Sequence, residues 1–199
     1  ELFTLSARPA SQSLGAQDEQ YVSRIIEEAL DAYKTAKRNG TQVDSRLEQL
    51  INRLFDRNLS KKDLRYVIGL ALETRRVDMI EIAIKAADDQ SGLLVETLSR
   101  VLESTLDTGL RHQVLELLLK LLSELEQPDF VNICQCLIKL EKPASVADLF
   151  EKLVKNEDGE LLAYQIAFDL YENASQQFIK KILTALKGGA DGEKPSTSA

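Results

Sequence analysis

The sequence predicts an all-α protein, an α-solenoid or rod of about ten helices stacked as antiparallel pairs. Three observations lead to this prediction. Apolar residues recur at intervals of three and four along almost the whole chain, which is the period of a helix with one buried face. Apolar residues make up 44% of the 199 residues, and only 9 are Gly and 4 are Pro, a composition that favours helix. No segment alternates apolar and polar side chains as a half-buried strand does.

The first two helices are predicted from their end signals. Residues 1–16 are mixed in composition and predict an irregular leading segment. Asp18 is suited to cap the first helix, because its carboxylate can accept hydrogen bonds from the N–H groups of the first turn. Gly40 predicts the end of this helix. Asp44 or Ser45 is expected to begin the second.

The next two helices are predicted on either side of a short corner at Arg75 and Arg76. Ser60 is expected to begin the first of them, with Asp63 in its first turn, where the helix dipole favours a negative charge. Gly69 lies inside this helix at a cost of about 1 kcal/mol relative to Ala. We attribute this glycine to the close approach of a neighbouring helix.

Six further helices are predicted in the second half, where helix pairs recur about every thirty residues. Their expected starts are Ser91, Asp107 or Thr108, Pro128, Pro143, Leu161 and Ser175. Proline suits a first helical position because its missing N–H would have no intrahelical partner there. Together the helices form one predicted solenoid domain over 17–187. The small, polar residues 188–199 cannot bury a core and predict a flexible linker or tail.

The charge pattern limits the classes of partner. The net charge is -7 and the isoelectric point about 4.9. Nucleic-acid binding needs a basic stripe. The dense basic pairs are Lys61-Lys62 and Arg75-Arg76, and both lie beside acids. No nucleic-acid partner is therefore expected. The most apolar run, 114–125, is too short to span a bilayer and holds three charged residues, so no membrane partner is expected. The first residues carry no signal-peptide pattern. The chain starts at Glu1 and not at Met, so we expect it to be a segment of a longer protein.

No pattern in the chain predicts catalytic residues, a cofactor, a metal or a small-molecule substrate. Cys134 and Cys136 point about 200° apart on a helix, so they are interpreted as reduced, small apolar residues. His112, the only histidine, is expected on a partly exposed helix surface. Carboxylates such as Glu27 and Asp31 fall on polar helix faces, and a hydrolase built on a carboxylate pair therefore ranks far behind the other function classes.

Three features bear on partner binding. The segment 114–125 is apolar around most of its circumference, which predicts a central helix covered by its neighbours; a partner groove or membrane-surface role is the alternative. Tyr164, Phe168 and Tyr171 form an aromatic row at helical spacing, which we predict in the core, with a partner-docking strip as the alternative. The Arg75-Arg76 corner is either solvated or an arginine contact to an acidic partner.

A resemblance to a known family covers the chain from about Leu2 to about Leu186. It is densest in four stretches, 68–78, 128–137, 151–155 and 163–178, of which the last is long and ungapped. On these residues the chain resembles the N-terminal helical region of the largest non-ATPase subunit in the base of the 26S proteasome regulatory particle. The stretches carry no chemical signature, so the resemblance rests on the overall match.

The resemblance implies a rod of stacked helix pairs that is preceded by further helices and followed by a ring of proteasome/cyclosome repeats. It implies a non-enzymatic scaffold of the regulatory particle in ubiquitin-dependent protein degradation, located in the cytoplasm and nucleus. The implied partners are other regulatory-particle subunits, including lid subunits and the ATPase ring. The alternative function is a helical-repeat adaptor or scaffold of another large assembly.

Overall fold

The computed structural model describes residues 11–155 and 159–190, and their side chains over 20–155 and 159–188. In these ranges it contains ten α-helices and no β-strand, which confirms the predicted all-α class. The helices are α1 Ser11–Arg38, α2 Ser45–Ser60, α3 Leu64–Thr74, α4 Val77–Lys85, α5 Gln90–Glu103, α6 Thr108–Ser123, α7 Phe130–Lys139, α8 Pro143–Val154, α9 Glu160–Asn173 and α10 Gln176–Ala190.

The chain divides into two compact units, 1–86 and 87–199. In the first unit α3 packs against α1, α2 and α4, and α1 also contacts α2. Its apolar faces meet in a core of large, fully buried side chains. These are Tyr33, Ile51, Phe55, Ile68, Ile80 and Ile84.

In the second unit each helix from α5 to α8 packs against the next, and α8 also contacts both α9 and α10. This order of packing is consistent with the predicted helical solenoid. Helix α6 contacts both α5 and α7, in agreement with the prediction of a central helix covered by its neighbours. Six of its apolar side chains are buried, namely Leu110, Val114, Leu115, Leu118, Leu121 and Leu122. The fully buried side chains of this unit include Leu94, Leu98, Leu115, Leu118, Leu122 and Leu153.

Aspartates cap five of the helices. In each case a carboxylate oxygen accepts a hydrogen bond from a backbone N–H of the first turn, which satisfies one of the donors that a helix start leaves unpaired. The caps are Asp44, Asp63, Asp89, Asp107 and Asp129, with N···O distances from 2.7 to 3.4 Å. The sequence leaves two predicted helix starts open between neighbouring residues. In both cases the aspartate is the cap, so α2 begins after Asp44 and α6 after Asp107.

The predicted start of α3 at Ser60 is wrong. Ser60 is the last residue of α2, where its hydroxyl donates a 2.7 Å hydrogen bond to the carbonyl of Asp56. Lys62 then turns the chain with a left-handed φ of 56°, and Asp63 caps α3 instead of lying in its first turn. Ser60 and Asp63 are both suitable caps, and the carboxylate is the one placed next to the turn.

Four other predicted boundaries differ from the structure. Helix α9 begins at Glu160, one residue before Leu161. Helix α7 begins at Phe130 after the Asp129 cap, so Pro128 lies before the helix and not at its first position. Helix α5 begins one residue before Ser91, because Asp89 is its cap. Helix α1 begins at Ser11 and not after Asp18, since only Gly15 in that stretch disfavours helix.

The predicted termini are only partly within the described residues. Residues 11–16 of the expected irregular segment are helical, and 1–10 lie outside the described part. At the other end α10 continues to Ala190, so the first three residues of the expected tail 188–199 are helical, and 191–199 are not described. The single domain over 17–187 stays a prediction, as does the close helix approach at Gly69, which is buried in α3.

Candidate protein-docking surface

Helix α9 presents apolar side chains on two sides. One side carries Ala163, Ile166 and Leu170, which are buried. The other side carries Leu161, Tyr164, Phe168 and Tyr171, which we call the α9 row. The main neighbour of α9 is α8. The side with Ala163, Ile166 and Leu170 is buried, and the side with the α9 row faces solvent.

The side chains of the α9 row are among the most exposed large apolar groups in the described part of the chain. Their exposed fractions are 81% for Leu161, 66% for Tyr164, 64% for Phe168 and 72% for Tyr171. The prediction that the aromatic row lies in the core is therefore wrong. Its spacing fits either side of the helix, and α8 covers the side with Ile166 instead.

The α9 row forms one continuous strip. Its members are separated by three, four and three residues, so they fall within an arc of about 80° and extend over about 15 Å along the helix axis. Leu161 was absent from the predicted row, although its position three residues before Tyr164 extends the same spacing. A strip of this length matches one face of a partner helix over about three turns.

The charged residues of α9 are all acidic. Helix α9 contains Glu160, Asp169 and Glu172 and no Lys or Arg. The Tyr164 hydroxyl donates a 3.4 Å hydrogen bond to Glu160 Oε1 at the start of the helix. An apolar strip with an acidic border is complementary to an apolar strip with a basic border.

The two cysteines are packing residues, as predicted. Cys134 and Cys136 are both buried in α7 and are free thiols. Burial raises the pKa of each thiol to about 12, and the negative charge of Asp169 adds to the shift at Cys134. The thiolate is the reactive form of cysteine, so neither side chain is suited to nucleophilic chemistry at neutral pH.

The other titratable candidates also lie where they were expected. His112 is exposed on α6, and Glu27, Glu28 and Asp31 are exposed on α1. In residues 11–155 and 159–190, no group of three or more His, Cys, Asp or Glu side chains is arranged to hold a metal ion. The absence of catalytic, cofactor and metal residues from the whole chain stays a prediction.

A cleft of about 210 Å³ bears on the hydrolase alternative, which requires two neighbouring carboxylates. It is lined by Leu102, Gln135, Ile138, Lys139, Asp169 and Asn173. Asp169 is the one carboxylate in this lining, and it accepts a 2.7 Å hydrogen bond from the Asn173 amide. The cleft therefore has no carboxylate pair and gives this alternative no support.

Arg76 has a structural role that neither interpretation of the corner anticipated. Its guanidinium donates hydrogen bonds of 2.7–3.2 Å to the Asp78 carboxylate and of 3.0 Å to Asn52 Oδ1, and it lies 5.8 Å from the centre of the Phe55 ring. The hydrogen bonds to Asp78 raise the pKa of Arg76 and lower that of Asp78. Arg76 thereby ties the α3–α4 corner to α2.

No helix in the described residues is long and apolar enough to cross a membrane. Segment 114–125, the most apolar run of the sequence, lies mostly within α6, where Val114, Leu118 and Leu122 are fully buried. Its apolar surface is thus used for packing inside the second unit.

Comparison with known proteins supports the resemblance found in the sequence. The family described as the 26S proteasome subunit RPN2, N-terminal domain, matches residues 3–197. Similar proteins named 26S proteasome non-ATPase regulatory subunit 1 occur in Drosophila melanogaster, at 37% identity over 96% of this chain, and in Caenorhabditis elegans, at 38% over 88%.

A fungal relative shows the same relationship at lower sequence identity. The 26S proteasome regulatory subunit rpn2 of Schizosaccharomyces pombe is 31% identical over 93% of this chain. In these three relatives the match covers 18% or 20% of the longer protein. The chain therefore spans about a fifth of the length of the curated relatives it matches.

Proposed function

Because this chain belongs to the family of the 26S proteasome subunit RPN2, N-terminal domain, we propose that it is a scaffold segment in the base of the proteasome regulatory particle. It presents helical surfaces to other subunits and contributes to ubiquitin-dependent protein degradation by assembly and not by chemistry. The non-catalytic role is supported by the relatives, which are named as non-ATPase regulatory subunits. The family assignment also favours a location in the cytoplasm and nucleus.

The α9 row is the observation that carries the docking role. Four large apolar side chains, each more than 60% exposed, lie in one strip on a helix whose other side is already packed. Removing a side chain of this size from water is favourable by about 1.5–3 kcal/mol, and the part that exceeds the entropic cost of association contributes to affinity. Aromatic residues are also enriched among the residues that dominate binding energy at protein interfaces.

The occupant we propose is a helix of another regulatory-particle subunit. It presents apolar side chains at intervals of three and four, which pack along the α9 row as helices do in soluble proteins. Its border residues are basic, because α9 offers Glu160 and Glu172 beside the row and no positive charge of its own. The lid subunits and the ATPase ring are the proposed sources of this helix.

Affinity capture of regulatory-particle subunits tests the proposal. The chain is compared with a Tyr164→Ser/Phe168→Ser variant, and the captured proteins are identified by mass spectrometry. The matched control is Tyr21→Ser/Ile25→Ser, which removes exposed apolar groups from α1. We expect the α9 variant alone to lose the captured subunits, with its helical circular dichroism unchanged.

Two outcomes would contradict the proposal. Equal capture by the parent and the α9 variant would show that the row is not the docking surface. Capture of a different large assembly, with no regulatory-particle subunit bound, would favour the helical-repeat adaptor instead.

A further inference from the structure

The outward side of α2 carries a row of four basic residues, Arg46, Arg53, Arg57 and Lys61, which we call the α2 basic row. All four are exposed. Their spacing places them within an arc of about 80° and over about 22 Å of helix length. Lys61, the C-cap, keeps helical dihedral angles (φ -84°, ψ -3°), so it continues the row beyond the last helical residue.

The side chains of the α2 basic row make no ion pair or hydrogen bond with any other described residue. Some basic residues on other helices pair with an acid one turn away. The pairs at this spacing are Arg24–Glu28, Lys85–Glu81 and Lys120–Glu124. Lys180 and Lys181 on α10 make no such pair with a described residue either, so what distinguishes α2 is that four unpaired basic side chains share one face of the helix.

The α2 basic row also opposes the stability of its own helix. Arg53 and Arg57, and Arg57 and Lys61, are like charges four residues apart, which repel one another on a helix surface. Arg46 lies in the first turn, where the helix dipole disfavours a positive charge, although the same dipole favours Arg57 in the last turn. The packing of α2 depends on Ile51, Leu54 and Phe55 on its other side and does not use the row.

We propose that the α2 basic row docks an acidic helical segment of a partner protein. Basic residues four apart on α2 are separated by about 6 Å along the axis, which is also the separation of carboxylates at positions i and i+4 of a partner helix. The net charge of -7 repels an extended polyanion such as a nucleic acid, whereas a short acidic helix contacts a small area centred on the α2 basic row. This surface lies in the first unit and is independent of the α9 row.

A binding measurement with a defined probe tests this inference. The probe is a fluorescein-labelled helical peptide with Glu at every fourth position, followed by fluorescence anisotropy at low and high salt. The test variant is Arg53→Gln/Arg57→Gln. The matched control, Lys180→Gln/Lys181→Gln, removes the same charge from exposed positions on α10.

We expect the parent chain to bind the peptide and to bind it more weakly as salt rises. The α2 variant should bind about threefold to tenfold more weakly, because two exposed ion pairs are lost, while the α10 control keeps the parent affinity. Thermal unfolding of the α2 variant should occur no earlier than that of the parent, since a like-charge pair has been removed.

Three results would overturn the inference. The parent could fail to bind the peptide at low salt. The two double variants could lose equal affinity, which would indicate a general charge effect. A DNA duplex of the same net charge as the peptide could bind the α2 row more tightly, which would make it a nucleic-acid surface.

Discussion

At the scale of single residues, the clearest structural role belongs to Arg76. It joins the α3–α4 corner to α2, because the same guanidinium contacts the Asp78 carboxylate, the Asn52 side chain and the face of Phe55. The side chain is 22% exposed, so its hydrogen bonds are partly shielded from water. An arginine at a helix corner can thus be part of the fold even where the sequence indicates a solvated or partner-binding residue.

Replacing Arg76 by alanine should lower the free energy of unfolding by about 1–2 kcal/mol, because charge-assisted hydrogen bonds and a ring contact are lost from a partly buried site. Arg53→Ala, at an exposed position without an internal partner, is the control and should change it by less than about 0.5 kcal/mol. Denaturant melts at pH 7 measure both. Equal effects of the two substitutions would contradict the structural role of Arg76.

The same contact predicts a dependence on pH. Asp78 has a pKa below its ordinary value of 3.8, mainly because Arg76 donates hydrogen bonds to it. The stability from this pair is therefore present above pH 3.8 and is lost as the pH falls through the lowered pKa of Asp78. Melts of the parent and Arg76→Ala at pH 7 and at about pH 2 should show a difference that shrinks in acid. If the two proteins differed in stability by the same amount at both pH values, the contribution of Arg76 would not depend on the Asp78 carboxylate.

Cys134 and Cys136 should react slowly with a thiol reagent in the native protein. Both are buried, and burial raises each pKa to about 12, so the thiolate is scarce at pH 8. After denaturation the reagent should count two free thiols. One disulfide, or rapid native labelling at both positions, would contradict the buried, reduced state.

At the scale of helices, α6 should contribute most to the stability of the second unit. Leu118 is fully buried and Leu121 is 5% exposed, so truncating either to alanine should cost about 2–5 kcal/mol through lost burial and the cavity left behind. Glu116→Ala, which removes an exposed ion pair with Lys142, should cost less than about 1 kcal/mol. Denaturant melts compare these variants. A Leu121→Ala protein as stable as the parent would show that α6 is a surface helix.

The two sides of α9 should respond in opposite ways to substitution. Ile166→Ala removes a buried side chain and should lower the free energy of unfolding by about 2–4 kcal/mol. Phe168→Ala removes an exposed one and should change it by no more than about 0.5 kcal/mol. Chemical denaturation of both variants, beside the binding assay, separates the packing side from the docking side. A large loss of stability for Phe168→Ala would show that the aromatic row is part of the core and not a docking surface.

The outcome at α9 shows what the sequence could and could not predict about the candidate site. The spacing of Tyr164, Phe168 and Tyr171 identified the row itself. Whether that row packed inside the protein depended on α8, which covers the side of Ile166, and this choice is made by tertiary packing. Two apolar sides on one helix leave the decision open in the sequence, and the larger aromatic side was incorrectly assigned to the core.

Helix boundaries illustrate the same limit on a smaller scale. The all-α class followed from periodicity that repeats over many residues, and it was confirmed. The start of α3 depended on a choice between Ser60 and Asp63, both of which have side chains suited to capping. The left-handed turn at Lys62 ends α2 and places Asp63 at the start of α3. Lysine has no particular preference for such a turn, so the sequence did not predict it.

At the scale of the whole molecule, the chain combines a family assignment with two candidate docking surfaces. The chain belongs to a proteasome subunit family, and each of its two units buries its own apolar core. One unit presents the α2 basic row and the other the α9 row. One basic surface and one apolar surface suit a protein that binds more than one partner. We propose the α9 row as one of these binding sites.

The most direct test of that claim places a photoreactive benzoylphenylalanine at position 168 of the subunit within the assembled regulatory particle. A second variant carries it at position 66 on α3, where the native tyrosine is 45% exposed. Illumination should join position 168 to a helix of another regulatory-particle subunit, with a far lower yield from position 66. No cross-link between subunits from position 168 in an assembled particle would contradict it.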